Sequence, residues 1–414
     1  MEKRIIFHID VNNAFLSWTA VHKLKSGEKL DIRKIPSVIG GDEKTRHGIV
    51  LAKSPVAKKF GIKTAETLYS ARKKCPNLKV FPSEFDWYYE QSNNMYNYLC
   101  TYTPIIERFS IDECFLDLTG TSLLYKNYEE LAYKIKDDIK KQFGFTVNVG
   151  IGNNKLCAKM ASDFEKPDKV HTLYKKEIQD KMWPLPIEDL FMVGKKTSQI
   201  LRSLNINTIG DLAKTEESLL KKHFKNQARV LIESANGLDE SNVAPRSPKN
   251  ESISISETLP FDCSDYEKLK EVLFRQTEEV TRELREQKQY AKTVAVTYKN
   301  ANFSSYSHQE KLNYPQNSTS EIYIKVLEIL KSSWKEDSIR NIGVRLSDLT
   351  KNRISQLSIF ASEKTYIEQD DSIQKTIDDI NKKYGSTSII PASIKIIGKS
   401  NKHKKTKEKE KESN

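Results

Sequence analysis

Residues 109–120 read FSIDECFLDLTG: two adjacent carboxylates, Asp112 and Glu113, set into a run of Phe, Ile, Cys and Leu. An unpaired carboxylate is costly to bury, so such a pair calls for a cation, a basic partner or water. The apolar stretches on either side, 105–109 and 114–118, predict two strands of a hairpin with Ser110–Glu113 at its bend. Upstream, RIIFHIDV at 4–11 is a short apolar run suited to a buried strand, and it ends near a third carboxylate, Asp10. A magnesium-type ion takes oxygen ligands, commonly one or two carboxylates together with substrate phosphates. Two such ions can activate a hydroxyl and stabilise a leaving group in phosphoryl transfer. Taken alone, these residues leave two readings open: a metal site, or a solvated or salt-bridged turn beside Arg108.

Outward from the hairpin, GIVLA at 48–52 is another strand signal. Tyr128, Leu131, Ala132, Ile135 and Ile139 follow helical spacing, with Asn127 and Glu130 placed for an N-terminal capping box. TVNVGIG at 146–152 alternates Val147, Val149 and Ile151 in strand fashion, and Asn153 or Asn154 can cap the helix KLCAKMASDF that follows. Residues 184–235 read as lysine-rich helices, and ANGLDESNVAPRSPKNES reads as a linker. Beyond it come strand, helix (265–288), two strands, helix (320–334) and strand, a self-contained β-α-β-β-α-β unit. The charged, low-complexity end NKHKKTKEKEKESN is expected to be disordered. The fold class expected is α+β.

With 414 residues, 37% hydrophobic and 30% charged, the chain can bury a core and form two to four compact units. Its formal net charge of +12 favours a polyanionic partner, nucleic acid before an anionic membrane surface. Five scattered cysteines without Cys-x-x-Cys or His-x-x-x-His spacing argue against a zinc site or disulfide framework. No signal peptide or long apolar run is seen, so a soluble protein of a reducing compartment, the cytoplasm, is expected.

Four blocks carry a resemblance. HIDVNNAFLSW at 8–18, FSIDECFLDLTG, VGIGNNKLCAKMASDFEKPD at 149–168 and RNIGVRLSDL at 340–349 resemble the signature blocks of Y-family DNA polymerases, in the family's order. These are the translesion enzymes that include bacterial polymerases IV and V. The Asp-Val-Asn of the first block is closer to the polymerase V type. The resemblance implies a right hand with a mixed-sheet palm over 1–20 and 77–166, small fingers over 21–76 and a helical thumb over 167–235. A linker at 236–250, a little finger at 251–350 and a clamp-binding segment with a charged tail over 351–414 complete it. The implied activity is template-directed addition of dNTPs to a primer 3′-hydroxyl, opposite damaged or undamaged template, with low fidelity and no proofreading. The implied partners are primer-template DNA, dNTP and the bacterial sliding clamp, with no membrane, and the implied location is cytoplasmic, at the nucleoid when on DNA.

By the same resemblance Asp10, Asp112 and Glu113 bind two magnesium ions, for which manganese can substitute, with the Val11 carbonyl as a further ligand. Asp117, outside the motif, is taken as structural. Phe15 aligns with the steric gate beneath the incoming sugar, and Lys166 with a lysine that contacts the triphosphate. SPVAKKFG at 54–61 aligns with the family's Tyr-x-x-Arg phosphate clamp, but Pro55 replaces the tyrosine and Lys58 the arginine, which moves triphosphate binding onto Lys58, Lys166 and Ser54 or backbone amides. LPIEDLFMVGKKTSQILRSL at 185–204 resembles the thumb helix-hairpin-helix, with Gly194, Lys195 and Lys196 as phosphate contacts and Met192 where a first glycine is expected. QLSIF resembles the clamp-docking pentapeptide, through Gln356, Leu357, Ile359 and Phe360. Two rivals remain: a catalytically silent DNA-binding scaffold of the same fold, and a helix-hairpin-helix repair nuclease.

Overall fold

The computed structural model describes residues 4–42, 48–244, 251–352, 376–380, 383–384 and 388–389. It divides into two units, Met1–Pro248 and Lys249–Asn414.

In the first unit, strand β1 (Ile6–Val11) is buried at every position. Helix α1 (Ala14–Lys25) follows a short turn in which Asn13 takes a left-handed conformation, φ 52. Next come β2 (Ser37–Gly40), β3 (Val50–Lys53), α2 (Pro55–Lys59), α3 (Leu68–Lys74) and β4 (Lys79–Phe81). The three strands form their own sheet, β3-β2-β4, over a core that includes Val38, Val50, Leu68 and Leu78. Helix α4 (Phe85–Leu99) leads into β5 (Ile106–Arg108) and β6 (Glu113–Asp117), the hairpin expected from the sequence. Helix α5 (Tyr128–Phe143) starts at Asn127, whose side chain accepts from the Glu129 and Glu130 amides, and ends at Gly144 with φ 81. Then follow β7 (Val147–Gly152), α6 (Lys155–Asp163), β8 (Val170–Leu173) and four helices, α7 (Lys195–Ser203), α8 (Ile209–Ala213), α9 (Glu217–Phe224) and α10 (Gln227–Ala235).

The main sheet runs β5-β6-β1-β7-β8, so β1 is its central strand. Antiparallel register sets Asp10 opposite Glu113 on one side and opposite Asn148 on the other. A slip of one residue would turn every side chain to the other face, so the buried flanks of β1 hold that register. Strand β7 departs from the simple alternation read in TVNVGIG: all six of its residues are buried. The reason is α6. A Cβ at Gly150 would stand 2.0 Å from the Ala158 carbonyl oxygen and 2.4 Å from the Ser162 nitrogen, so only glycine lets the helix lie flush on the strand. Asn154 caps α6 by accepting from the Cys157 amide, while Asn153 donates to the Arg4 carbonyl and accepts from the Lys175 amide.

The second unit is β9 (Ser252–Cys263), α11 (Tyr266–Glu286), β10 (Ala291–Asn300), β11 (Ser305–Gln316), α12 (Thr319–Ser333) and β12 (Ile339–Ser347). That is the β-α-β-β-α-β order, folded as an antiparallel sheet β11-β10-β12-β9. One face packs Val294, Val296, Val344 and Leu346 against Leu273 and Val326 of the two helices. On the other face the register lines up Ser254 with Arg345, Ala295 and Gln309, and Ser256 with Gly343, Thr297 and Ser307. Small hydroxyl, amide and basic side chains dominate that face. All five cysteines are free. Among the described residues no helix is long and apolar enough to cross a membrane.

Candidate active site

Asp10 stands near the end of β1, 5% exposed, and Glu113 opens β6 directly across from it. One residue earlier, the Asp112 carbonyl accepts from the Val11 amide at 3.1 Å, which ties the bend to β1. Ser110 donates from Oγ to Asp112 Oδ1 at 2.6 Å, and the Phe109 and Ser110 amides both donate to the Glu113 carbonyl. Asp117, at the far end of β6, accepts from the Thr119 amide at 2.8 Å, a turn contact remote from Asp10.

Arg108 is not the partner of the acids: it donates to Asn93 at 2.8 Å and lies over the Tyr96 ring. The cations come from α6 and the segment after it. Lys159 Nζ lies 3.2 Å from Asp10 Oδ2, 2.8 Å from Glu113 Oε1 and 3.3 Å from Asp163 Oδ2. Lys166 Nζ lies 2.8 Å from Asp10 Oδ2 and 2.8 Å from Asp163 Oδ1. Behind Glu113 sits His8, wholly buried, its Nδ1 2.8 Å from Ser162 Oγ and its Nε2 3.8 Å from Glu113 Oε2. At 3.8 Å the imidazole acts on Glu113 through space rather than by a formed hydrogen bond.

The electrostatics follow from that geometry. Burial raises the Asp112 pKa; the Ser110 hydroxyl opposes this, and the charges of Asp10 and Glu113 add to it. Burial also pushes Glu113 upward, but His8 and Lys159 outweigh it and hold the carboxyl down at about 2. For Lys159, burial disfavours the charge, yet Asp10, Glu113 and Asp163 raise its pKa above that of a free lysine. Among the described residues no three His, Cys, Asp or Glu side chains already close around one point as a cage for a metal. Two ammonium groups lie among the carboxylates instead. A cluster of hard oxygen donors that draws in two cations is the kind of donor set a magnesium-type ion takes, with substrate phosphates completing its shell. The residues fit such an ion.

Phe15, on α1, is half-buried and stacks on Tyr88 at 4.9 Å and 18°, with Phe85 edge-on at 5.9 Å. Tyr88 is itself wholly buried, its hydroxyl 2.7 Å from Thr19 Oγ1. Lys58 is exposed on α2, beside Lys53, whose pKa is lowered by burial and then by the Lys58 charge. Pro55 is the first residue of α2, a favoured place for proline. Ser54 is fully buried and its oxygen is spent: it donates to the Ile35 carbonyl and accepts from the Ser37 and Ala57 amides. It has no capacity left for a triphosphate.

Gly194 precedes α7, whose first turn carries exposed Lys195 and Lys196, and Met192 takes the left-handed φ of 71. Gln356, Leu357, Ile359 and Phe360 lie outside the described residues. Sequence reasoning missed Lys159 and His8 altogether. The His of HIDV and the Lys of CAKMAS stand inside the quoted blocks, but neither spacing nor periodicity points them at an acid.

A family profile described as the impB/mucB/samB family matches residues 9–163, with its C-terminal domain matching 250–359 and its HHH motif 175–206. A protein named DNA polymerase IV from Clostridium acetobutylicum is 49% identical over 387 residues, covering 94% of this chain and 97% of its own length. The chain belongs to the impB/mucB/samB family, the Y-family polymerases. Another DNA polymerase IV, from Alkaliphilus oremlandii, is 36% identical and covers 95% of this chain and 99% of itself. A solved Y-family DNA polymerase chimera, Dbh-Dpo4(243-245)-Dbh, superposes with a TM-score of 0.73 at 24% identity, over 84% of this chain and all of that one, and so shares the fold. Y-family enzymes are metal-dependent. Both relatives carry the polymerase IV name, so the Asp-Val-Asn spelling does not set this Y-family chain apart from that group. In the structure Asn12 is occupied internally, donating to Asn148 and accepting from the Asp168 amide.

Proposed function

We propose that the chain is a template-directed DNA polymerase of the translesion type. The primer 3′-hydroxyl attacks the α-phosphate of a dNTP, an O–P bond forms, and pyrophosphate leaves. One observation carries this reading: Asp10 and the adjacent pair Asp112 and Glu113, far from it in sequence, meet at one end of the β1–β6 ladder in a chain of this family. Two magnesium ions, or manganese in their place, would activate the hydroxyl and neutralise the phosphates when bound. Asp10, Asp112, Glu113 and the Val11 carbonyl are the groups that would hold them. In this reading residues 1–20 and 77–166 form the palm, 21–76 the fingers, 167–235 the thumb, 236–250 a linker and 251–350 the little finger.

Phe15, backed by Tyr88, would lie under the sugar and collide with a ribose 2′-hydroxyl. Lys166, with 38% of its side chain exposed, can exchange Asp10 for a triphosphate. Lys58 would approach the same triphosphate from the fingers as a point charge, since Pro55 offers no donor and Ser54 none to spare. Lys58→Ala is then expected to weaken dNTP binding about tenfold, roughly 1.4 kcal/mol. The check is the dNTP dependence of single-turnover insertion; normal dependence would place the clamp elsewhere.

For DNA, two features support backbone contacts. Lys195 and Lys196 sit in the first turn of α7, where the helix dipole disfavours cations unless an anion is present. A Cβ at Gly194 would meet nothing within 4 Å, so the fold itself has no steric need for glycine there, and an approaching phosphate does. In the second unit, the open sheet face carries Arg345 among serines and threonines, a surface for tracking phosphates rather than reading bases. Arg345→Glu should weaken primer-template binding across all sequences and lower the slope of log affinity against log salt by about one. An unchanged slope would remove this face from the DNA. Docking of the sliding clamp through Gln356, Leu357, Ile359 and Phe360 is proposed from the sequence alone.

Primer extension on undamaged and abasic templates, with each dNTP supplied singly, tests the reading. A polymerase extends the primer only when dNTP is present. No extension would leave the silent scaffold, and cleavage without dNTP would leave the nuclease.

A further inference from the structure

The acidic site contains a charge that the polymerase reading does not use. Lys159 is buried, with 9% of its side chain exposed, and its ammonium lies within 3.3 Å of oxygens from Asp10, Glu113 and Asp163. Lys166 reaches the same Asp10 oxygen from a far more open position, 38% exposed. We propose that Lys159 is a resident counter-cation of the acidic site: a positioning residue that holds Asp10 and Glu113 in place and keeps the dNTP-free site a weak binder of divalent ions. The inference rests on the polymerase reading and concerns how its metal site is set.

Three observations lead there. First, Lys159 cannot swing away as a surface lysine can. Helix α6 lies flush on β7 because Gly150 and Gly152 have no Cβ, which fixes the depth from which the side chain reaches the carboxylates. The Lys159 carbonyl is also held, accepting from Ser162 Oγ at 2.7 Å, and that serine hydroxyl in turn meets His8 Nδ1. Second, its three carboxylate partners come from β1, β6 and its own helix, so one ammonium ties together elements that otherwise repel one another. Third, two ammonium groups stand among four carboxylates, Asp10, Asp112, Glu113 and the 42%-exposed Asp163, and cancel about half of their negative charge. A bare divalent ion entering that partly cancelled field gains less than it would from the acids alone, and it meets a fixed like charge a few ångströms away. A triphosphate brings its own negative charge. Lys166 can leave Asp10 for it, whereas Lys159 stays.

The test is Mn2+ binding to the intact protein without DNA or dNTP, followed by the free-ion paramagnetic resonance signal at fixed ionic strength. Lys159→Met keeps the length of the stem and removes the charge. It is expected to bind Mn2+ at least about tenfold more tightly than the unsubstituted protein. Lys159→Arg, which restores the charge, is expected to return the affinity to within about threefold of the original. Adding Asp112→Ala to Lys159→Met should abolish the gain, placing the ion at this site. Should the Met variant fail to fold by circular dichroism, Lys159→Gln carries the same expectation. Unchanged or weaker Mn2+ binding in the folded variant would overturn the proposal, because a merely structural lysine would not hold metal affinity down. Primer extension by the unsubstituted protein separates this outcome from failure of the polymerase reading.

Discussion

An Asp112→Ala protein is expected to insert no measurable nucleotide while holding primer-template DNA as tightly as before. The carboxylate sits at the bend between β5 and β6, oriented by the Ser110 hydroxyl, while the residue's backbone carbonyl accepts from the Val11 amide of β1. Its removal takes away one of the three carboxylates proposed to hold the metals, and the proposed DNA contacts lie elsewhere, on α7 and the second unit's sheet. A metal clamp supplies several kcal/mol of transition-state stabilisation, so the loss should be on the order of a thousandfold or more. The same outcome is expected at Glu113 and Asp10, with one difference. Asp10 and Glu113 pair with Lys159, so truncating either one removes part of the compensation of a buried charge and costs stability as well. Asp10→Asn and Glu113→Gln are therefore the cleaner variants, and Asp112→Ala the cleanest of all. Single-turnover insertion, with DNA affinity by fluorescence anisotropy alongside, measures both quantities. Insertion near the original rate in any folded variant would remove that residue from the metal site.

Phe15→Ala is expected to admit ribonucleotides. The ring is stacked on a wholly buried tyrosine and met edge-on by Phe85, so it cannot yield to a 2′-hydroxyl by rotating into space behind it. Discrimination by fit of one small group is worth about 10–200-fold, and a loss toward the upper end is expected here. The quantity to follow is the ratio of insertion efficiencies for a dNTP and its rNTP. Phe15 is half-buried, so truncation will also cost some stability, and a melting curve must accompany the kinetics. A folded variant with an unchanged ratio would return Phe15 to the aromatic cluster as packing alone.

Much of this molecule is legible along the chain. The apolar run ending at Asp10 predicted a buried strand, and the apolar flanks of Ser110–Glu113 predicted the hairpin, because both depend on short-range pattern. Asn127 announced its helix by a local cap, and the second unit's strands and helices follow from period alone. The acidic trio and Phe15 came into view through blocks whose residue types are themselves the chemistry.

What periodicity could not show lay between segments. Asn153 and Asn154 are the same residue side by side, and the choice of cap was made by where Arg4 and Lys175 pass. Ser54 looked available for a phosphate until the chain around Ile35 and Ser37 closed on it. Lys159 was one lysine among many, and two of the three acids it pairs with, Asp10 and Glu113, lie 149 and 46 residues away. The strands, the Asn127 cap and the presence of three carboxylates were thus decided by the sequence itself, since each rests on neighbours within a few residues. That the carboxylates face one another across a ladder, with Lys159 as their built-in cation, was decided only by tertiary structure. Strand register and the flush packing of α6 on two glycines set those distances, and both are long-range contacts that no local pattern encodes.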